Sequence, residues 1–141
     1  MKVLIVGANG QLGKAIYSYA PSKIGNESIN IILLNRSHLD LCSPDKCNEL
    51  VLFHRPDFLI NTAAYTNVEM AEKEIEKATL VNTIAPEIFS KSLRITGGKL
   101  IHFSTDYVFD GIKNQPYKPN DEKNPLNIYG KTKSEGEDQI I

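Results

Sequence analysis

Val3-Leu4-Ile5-Val6-Gly7-Ala8-Asn9-Gly10-Gln11-Leu12-Gly13 is the stretch on which the fold turns. Lys2–Val6 is a short, β-branched apolar run that ends at a glycine cluster, the pattern of a buried parallel strand. Gln11–Tyr19 follows with Leu12, Ala15, Ile16 and Tyr19 on one face, so a helix is expected to begin just after the glycines. A strand running through glycines into a helix opens a βαβ unit.

Working outward, Ile29–Leu34 reads as a second buried strand. Pro44–His54 reads as a helix, with Ser43 as N-cap, Pro44 in the first turn, and Leu50, Val51 and Phe53 as core contacts. Phe58–Ile60 is a third strand. Asn67–Leu93 is a long helical region, with Val81, Ile84, Ala85, Ile88 and Phe89 at helical spacing and Pro86 marking a kink or a helix start. Gly97-Gly98 ends it, and Lys99–Ser104 is the fourth strand. Gly111–Pro125 holds three of the seven prolines and reads as a long irregular loop. Asn127–Ile141 resumes a helical pattern. The order βαβαβαβ, loop, helix predicts an α/β fold: a Rossmann-like, doubly wound parallel sheet in a three-layer αβα sandwich.

The bulk properties narrow the function. At 141 residues the chain is one domain, and no repeat or linker divides it. With 16 Lys+Arg against 17 Asp+Glu, it has no basic excess with which to hold nucleic acid. The apolar run at the N-terminus stops at Gly7, too short for a signal peptide, and no stretch is long enough to span a membrane. Cys42 and Cys47 are expected as free thiols in the cytoplasm. Neither they nor His38, His54 and His102 show metal-ligand spacing, so no metal is expected. The chain ends inside the last helical pattern at Ile140-Ile141, which reads as a C-terminally truncated domain.

The glycines are spaced G-x-x-G-x-x-G. One glycine permits the tight turn, one lets backbone approach a pyrophosphate, and one lets the helix pack close to the sheet. The helix N-terminus then offers unpaired N–H groups and partial positive charge. Gly7, Gly10, Gln11, Leu12 and Gly13 are therefore candidate cofactor residues. An acid is expected after the second strand to hold a ribose 2′-OH, yet Leu34-Asn35-Arg36 stands there. Arg36 can meet a 2′-phosphate, which leans toward NADPH or use of both NADPH and NADH; a solvated surface charge is the equal alternative.

Tyr129 and Lys133 are spaced i, i+4 and share a helix face. A free tyrosine has a pKa of about 10, and a neighbouring ammonium favours the phenolate. That pair suits proton transfer. Ser104-Thr105-Asp106 falls at the C-terminal end of the fourth strand, where such sheets bind ligands. There a hydroxyl can bond a substrate carbonyl, although Thr105 and Asp106 alone read equally as a turn or cap. The ordered combination is much more specific than any of its parts.

These residues resemble the dTDP-4-dehydrorhamnose reductase family, an extended short-chain dehydrogenase type. The resemblance rests on Gly7–Gly13 (GANGQLG), Asn61–Ala71 (NTAAYTNVEMA), Ser104–Gly111 (STDYVFDG) and Pro125–Glu137 (PLNIYGKTKSEGE). Gln11-Leu12 replaces the Phe-Ile typical of sugar-nucleotide epimerases. The resemblance implies that Gly10, Gln11 and Leu12 face the pyrophosphate and that Asp40 and Leu41 border the adenine. It implies that Ala63, Ala64 and Tyr65 line the cofactor and that Thr105 and Asp106 meet the sugar. Tyr129 would be the proton donor and Lys133 its partner. Family members often carry an acid where Asn35 stands. The implied reaction is reduction of the C4 ketone of dTDP-4-dehydro-L-rhamnose by NAD(P)H. The implied partner is a nucleotide-sugar substrate, with a homodimer left open and the C-terminal substrate lobe absent. The alternatives are a reductase or epimerase for another nucleotide sugar, and a non-catalytic NADP-binding subunit like the regulatory subunit of methionine adenosyltransferase.

Overall fold

The computed structural model describes residues 1–140. Its elements in chain order are β1 (Lys2–Val6), α1 (Gln11–Tyr19), β2 (Lys23–Ile24), β3 (Glu27–Ser28), β4 (Asn30–Leu34), α2 (Pro44–His54) and β5 (Phe58–Asn61). Then follow α3 (Val68–Ala71), α4 (Ile75–Thr79), a π-helical segment (Leu80–Ile84), α5 (Ala85–Thr96), β6 (Lys99–His102), a 3-10 turn (Asp106–Val108) and α6 (Ile128–Ile140). The expected helical end at Ile141 lies outside the described residues.

β4, β1, β5 and β6 form one parallel sheet in that order. Leu4 and Val6 of β1 face one side, where α2 and α5 cover them with Cys47, Val51, Ala85, Phe89 and Leu93. Val3 and Ile5 face the other side, where α1 supplies Ile16. Helices on both faces of a parallel sheet with this winding make the fold Rossmann-like. No helix among the described residues is long and apolar enough to cross a membrane.

Several expectations need correction. β4 starts at Asn30 and β6 stops at His102, both shorter than the apolar runs. The small β2–β3 hairpin is exposed and carries no apolar alternation to announce it. Tyr19 is 89% exposed and Phe53 82%, so these two side chains face solvent rather than the core. Cys47 and Val51, one turn apart, are what α2 buries.

The region expected as one long helix is broken after α3. Asn67 caps α3 by accepting the Met70 N–H at 3.0 Å, and the chain turns through Glu72–Glu74. From Ile75 to Thr96 the rod is continuous, but it widens into π geometry over Leu80–Ile84, where the Ala85 N–H reaches the Leu80 carbonyl. Pro86 accounts for this. It has no N–H for the carbonyl of Asn82 four residues earlier, and its ring needs that space. The rod then ends at Gly97 in the left-handed conformation, φ +82°.

Candidate active site

Two edges of the sheet's C-terminal rim carry the candidate residues. The first is the turn after β1. Gly7 has φ +82°, and a Cβ there would lie 2.7 Å from the Ala63 nitrogen, so only glycine lets this turn touch the segment after β5. Its N–H bonds the Leu34 carbonyl at 2.9 Å. Gly13 is buried, and a Cβ on it would meet the Gly7 carbonyl at 2.5 Å; it lets α1 pack against the turn. Gly10 caps α1 with no side-chain bond, leaving the first N–H groups of the helix open.

These walls enclose a cavity of about 610 Å³. Gly7, Gly10 and Gln11 line it from the turn, Asn35, Arg36, Asp40 and Leu41 from the region after β4, and Ala63, Ala64 and Tyr65 from the segment after β5. Leu12 and Gly13 do not line it: Leu12 is exposed and Gly13 packs behind the turn. Asp40 accepts the Cys42 N–H at 3.0 Å, which shapes that rim.

Of the lining residues that were not foreseen, one carries a charge. Lys77 of α4 reaches the cavity, with its ammonium 3.0 Å from Glu74 and 5.5 Å from the centre of the Tyr65 ring. The Tyr65 hydroxyl donates to the same carboxylate at 2.5 Å. That bond and the one from Lys77 hold the Glu74 carboxyl below its ordinary range, and the carboxylate in turn raises Tyr65.

Asn82 explains how the wall is held. It is 1% exposed; its Oδ1 accepts the Tyr65 N–H at 2.8 Å and its Nδ2 donates to the Tyr65 carbonyl at 3.1 Å. Nδ2 also donates to Thr132 Oγ1 of α6 at 3.1 Å. One side chain in the widened turn thus joins the cavity wall to α6. Thr83 adds a bond to the Thr132 carbonyl at 2.8 Å. Gly136 makes the close crossing feasible, because a Cβ there would overlap the Asn82 carbonyl oxygen.

The second edge is built by α6. Asn127 accepts the Gly130 N–H at 2.8 Å, and Glu72 accepts the Ile128 N–H at 2.8 Å, so the helix start is fixed by two acceptors. Tyr129 is half-buried, edge-on to Tyr107 with ring centres 5.4 Å apart. Lys133 is 1% exposed. Its Nζ donates to the Phe103 carbonyl at 2.5 Å and lies 3.1 Å from His102 Nε2. Burial pushes the Lys133 ammonium down to about 8, and burial with the neighbouring Lys133 pushes His102 down to about 4. Neither His102 nor Asn61, which bonds it, was singled out from the sequence.

Thr105 caps the 3-10 turn, accepting the Tyr107 N–H at 3.3 Å and bonding Asp106 at 3.2 Å, so its local cap role is real. Asp106 lines a second, shallower cavity of about 320 Å³ with Tyr107, Asp110, Tyr117, Leu126 and Asn127. Tyr107 connects this cavity to Tyr129. Tyr129, Lys133 and Thr105 do not line the larger cavity.

The parallel sheet with helices on both faces and a glycine-walled cavity at its C-terminal rim defines a Rossmann-like domain whose last helix carries a tyrosine–lysine pair. Over residues 1–141 the chain belongs to the RmlD substrate binding domain family. It is 38% identical over 140 residues to the dTDP-4-dehydrorhamnose reductase of Aggregatibacter actinomycetemcomitans, covering 99% of this chain and 47% of that protein. The solved dTDP-4-dehydrorhamnose reductase of Clostridium acetobutylicum superposes with a TM-score of 0.91 at 36% identity, covering 99% of this chain and 49% of the other. That of Bacillus anthracis, in complex with NADP, gives 0.88 at 35% identity, covering 99% and 48%. The chain thus spans about half the length of the curated relatives it matches.

Proposed function

We propose that this chain is the cofactor-binding and catalytic half of an NAD(P)H-dependent reductase acting on the C4 ketone of dTDP-4-dehydro-L-rhamnose. The observation that carries the reading is the pairing on α6: a half-buried tyrosine one turn from a buried lysine whose Nζ is held just past the end of β6. The relatives' names supply the sugar.

The cavity fits a dinucleotide. Its volume lies within the range of small-molecule sites. Gly10 brings bare backbone and the open end of α1 to its wall, which suits a pyrophosphate. Arg36 on the opposite wall, with no carboxylate in the place of Asn35, suits a 2′-phosphate and favours NADPH or use of both forms. Asp40 and Leu41 would border the adenine, and Ala63, Ala64 and Tyr65 the remainder.

A nicotinamide cofactor held by the glycine turn and the segment after β5 would be the source of the hydride for the ketone carbon. Tyr129 gives its phenolic proton to the oxygen, completing the alcohol. Thr105 donates a hydrogen bond to that oxygen, and Asp106 holds a sugar hydroxyl from the second cavity. Lys133 would hold the cofactor ribose and favour the Tyr129 phenolate with its positive charge. The other half of the relatives' length is where this reading puts the rest of the sugar-nucleotide pocket. These 141 residues alone then bind cofactor weakly and do not turn over. A cytoplasmic enzyme fits the two free thiols, and a homodimer remains part of the proposal.

The test is dTDP-4-dehydro-L-rhamnose reduction, followed by loss of reduced-nicotinamide absorbance, in the full-length protein that contains this chain. Tyr129→Phe should lower kcat by roughly 10²–10⁴-fold while cofactor binding persists. Near-normal turnover in that variant refutes the assignment. NADPH binding with no reduction by the unaltered protein favours a non-catalytic subunit.

A further inference from the structure

We propose that Lys77 of α4 is a specificity-determining residue at the adenosine end of the larger cavity, where, with Arg36 from a second wall, it takes a phosphate carried on the ribose 2′-oxygen. The inference rests on the reading above, since it needs a nicotinamide dinucleotide in that cavity.

Among the described residues, the charged groups that line this cavity are Arg36, Asp40 and Lys77. Arg36 follows β4 and Lys77 belongs to α4, so the two cations come from different segments. Both bear on the same two groups: each pulls the Glu74 carboxyl and the Cys42 thiol toward the charged form. Charges this near to solvent act over a short range, so the two cations share one end of the cavity. It is the end of Asp40, Leu41 and Cys42, which the functional reading gives to the adenine. In that reading the pyrophosphate is met by the glycine turn and the open N-terminus of α1.

The remaining groups at this end do not offset the cations against a ligand. Asp40 Oδ1 accepts the Cys42 N–H at 3.0 Å within its own loop. Burial, with Asp40 beside it, raises the Cys42 thiol, so the thiol adds no negative charge. Asn35 stands where an acceptor for a plain ribose hydroxyl is expected, but its Oδ1 takes the Ser37 N–H at 2.9 Å and the Ser37 hydroxyl at 2.6 Å. A ribose phosphate, with a charge of about −1.5 to −2 at neutral pH, is matched by two cations.

Lys77 is held ready for that role. Its Nζ donates to Glu74 Oε2 at 3.0 Å and lies 5.5 Å from the centre of the Tyr65 ring. The Tyr65 hydroxyl donates to the same carboxylate oxygen at 2.5 Å, and Asn82 fixes the Tyr65 backbone. An ammonium has three N–H donors; one goes to Glu74 and two are left for a ligand. Glu74 does not line the cavity, so it anchors the ammonium without presenting an anion to the phosphate.

The experiment is titration calorimetry of the full-length protein that contains this chain, with two pairs of probes: NADPH against NADH, and adenosine 2′,5′-bisphosphate against adenosine 5′-monophosphate. Within each pair only the 2′-phosphate differs, so the ratio of affinities isolates it. The unaltered protein should bind the 2′-phosphorylated member on the order of tenfold tighter. Lys77→Gln should cut that ratio by roughly fivefold or more while NADH and adenosine 5′-monophosphate stay within about twofold of their original affinity. Lys77→Arg should keep most of the ratio. Lys77→Gln also leaves the Glu74 charge without its partner, so the double variant Lys77→Gln/Glu74→Gln removes both charges together. It should still show the reduced ratio. Recovery of the ratio in the double variant means that Lys77 only neutralises Glu74, and overturns the inference. So does an unchanged ratio in Lys77→Gln, or an equal loss for both members of a pair, which places Lys77 against the adenine or the pyrophosphate. A ratio near one in the unaltered protein overturns it with no variant at all. Failure of both NADPH and NADH to bind sinks the functional reading; binding of both with no part for Lys77 sinks this inference alone.

Discussion

Replacing Gly136 by alanine sets two rules of stability against each other. Helix propensity alone predicts a gain of about 1 kcal/mol, since glycine is a poor residue for a helix interior. The packing predicts the reverse. A Cβ at Gly136 would sit far inside the 3.0 Å that real Cβ atoms keep from the Asn82 carbonyl oxygen, with the Asn82 carbonyl carbon at 3.2 Å and Thr83 Cα at 3.5 Å. Backbone cannot rotate away as a side chain can. Relieving the overlap requires α6 to back off from the π-helical segment by about 1 Å, and overpacking of that kind costs roughly 1–3 kcal/mol. The same shift stretches the bonds from Asn82 and Thr83 to Thr132, at 3.1 and 2.8 Å, each contributing about 1 kcal/mol. The net expectation is a loss of about 2–3 kcal/mol, read in urea unfolding as a lower midpoint with unchanged slope. In thermal unfolding it is a fall of roughly 3–5 °C per kcal/mol lost. Stability equal to or above that of the unaltered chain would refute the close-crossing argument.

Asn82→Ala should cost about 2–4 kcal/mol, because it removes three bonds and leaves the Tyr65 N–H and carbonyl without protein partners; urea unfolding reads the loss, and a change under 0.5 kcal/mol would show that the wall is held by something else. Lys133 titrates at about 8 when folded and near 10.5 when unfolded, so between these values the unfolded chain binds more protons and stability must rise with pH. The rise is on the order of 3 kcal/mol and should be absent in Lys133→Met, measured as the difference in unfolding free energy between the two proteins across that window; parallel pH profiles would contradict a depressed lysine.

The sheet was legible because its strands are apolar runs that stop at glycine or polar residues. The phosphate-type turn was legible because Gly7 and Gly13 answer steric demands that no other residue meets. α2 was readable to its ends from Ser43, Pro44 and the run that follows. What escaped depends on contacts between distant segments. Periodicity put Phe53 and Tyr19 on an apolar stripe, but a stripe buries only what lies opposite it. The π geometry arises from Pro86 acting on the carbonyl of Asn82, with Gly136 packed against it from another helix. A helical pattern spreads over Leu80–Ile84 either way. Asn61 and His102 stand side by side only because β5 and β6 pair in one register, 41 residues apart in the chain. In the sequence they are an ordinary asparagine and an ordinary histidine. The Tyr129–Lys133 spacing was legible as a shared helix face, whereas the burial of Lys133 against Phe103 and His102 was not.

The two faces of the sheet are unequally anchored. The face under α2 and α5 is sealed by a cluster of eleven buried residues among those described. On the other, α1 is the helix that packs, and Gly13 is its one buried residue. In terms of amide hydrogen exchange, α1 should be among the first helices to open, by local detachment rather than by global unfolding. Yet the N-terminus of α1 is the end that faces the cavity. A ligand on those N–H groups would bind the docked helix and not the detached one, so part of its binding free energy goes into closing α1 down. Affinity at the glycine turn and the exchange lifetime of α1 amides would then be two readings of one equilibrium, and a substitution that tightens Ile16 against the sheet would strengthen both without touching the ligand.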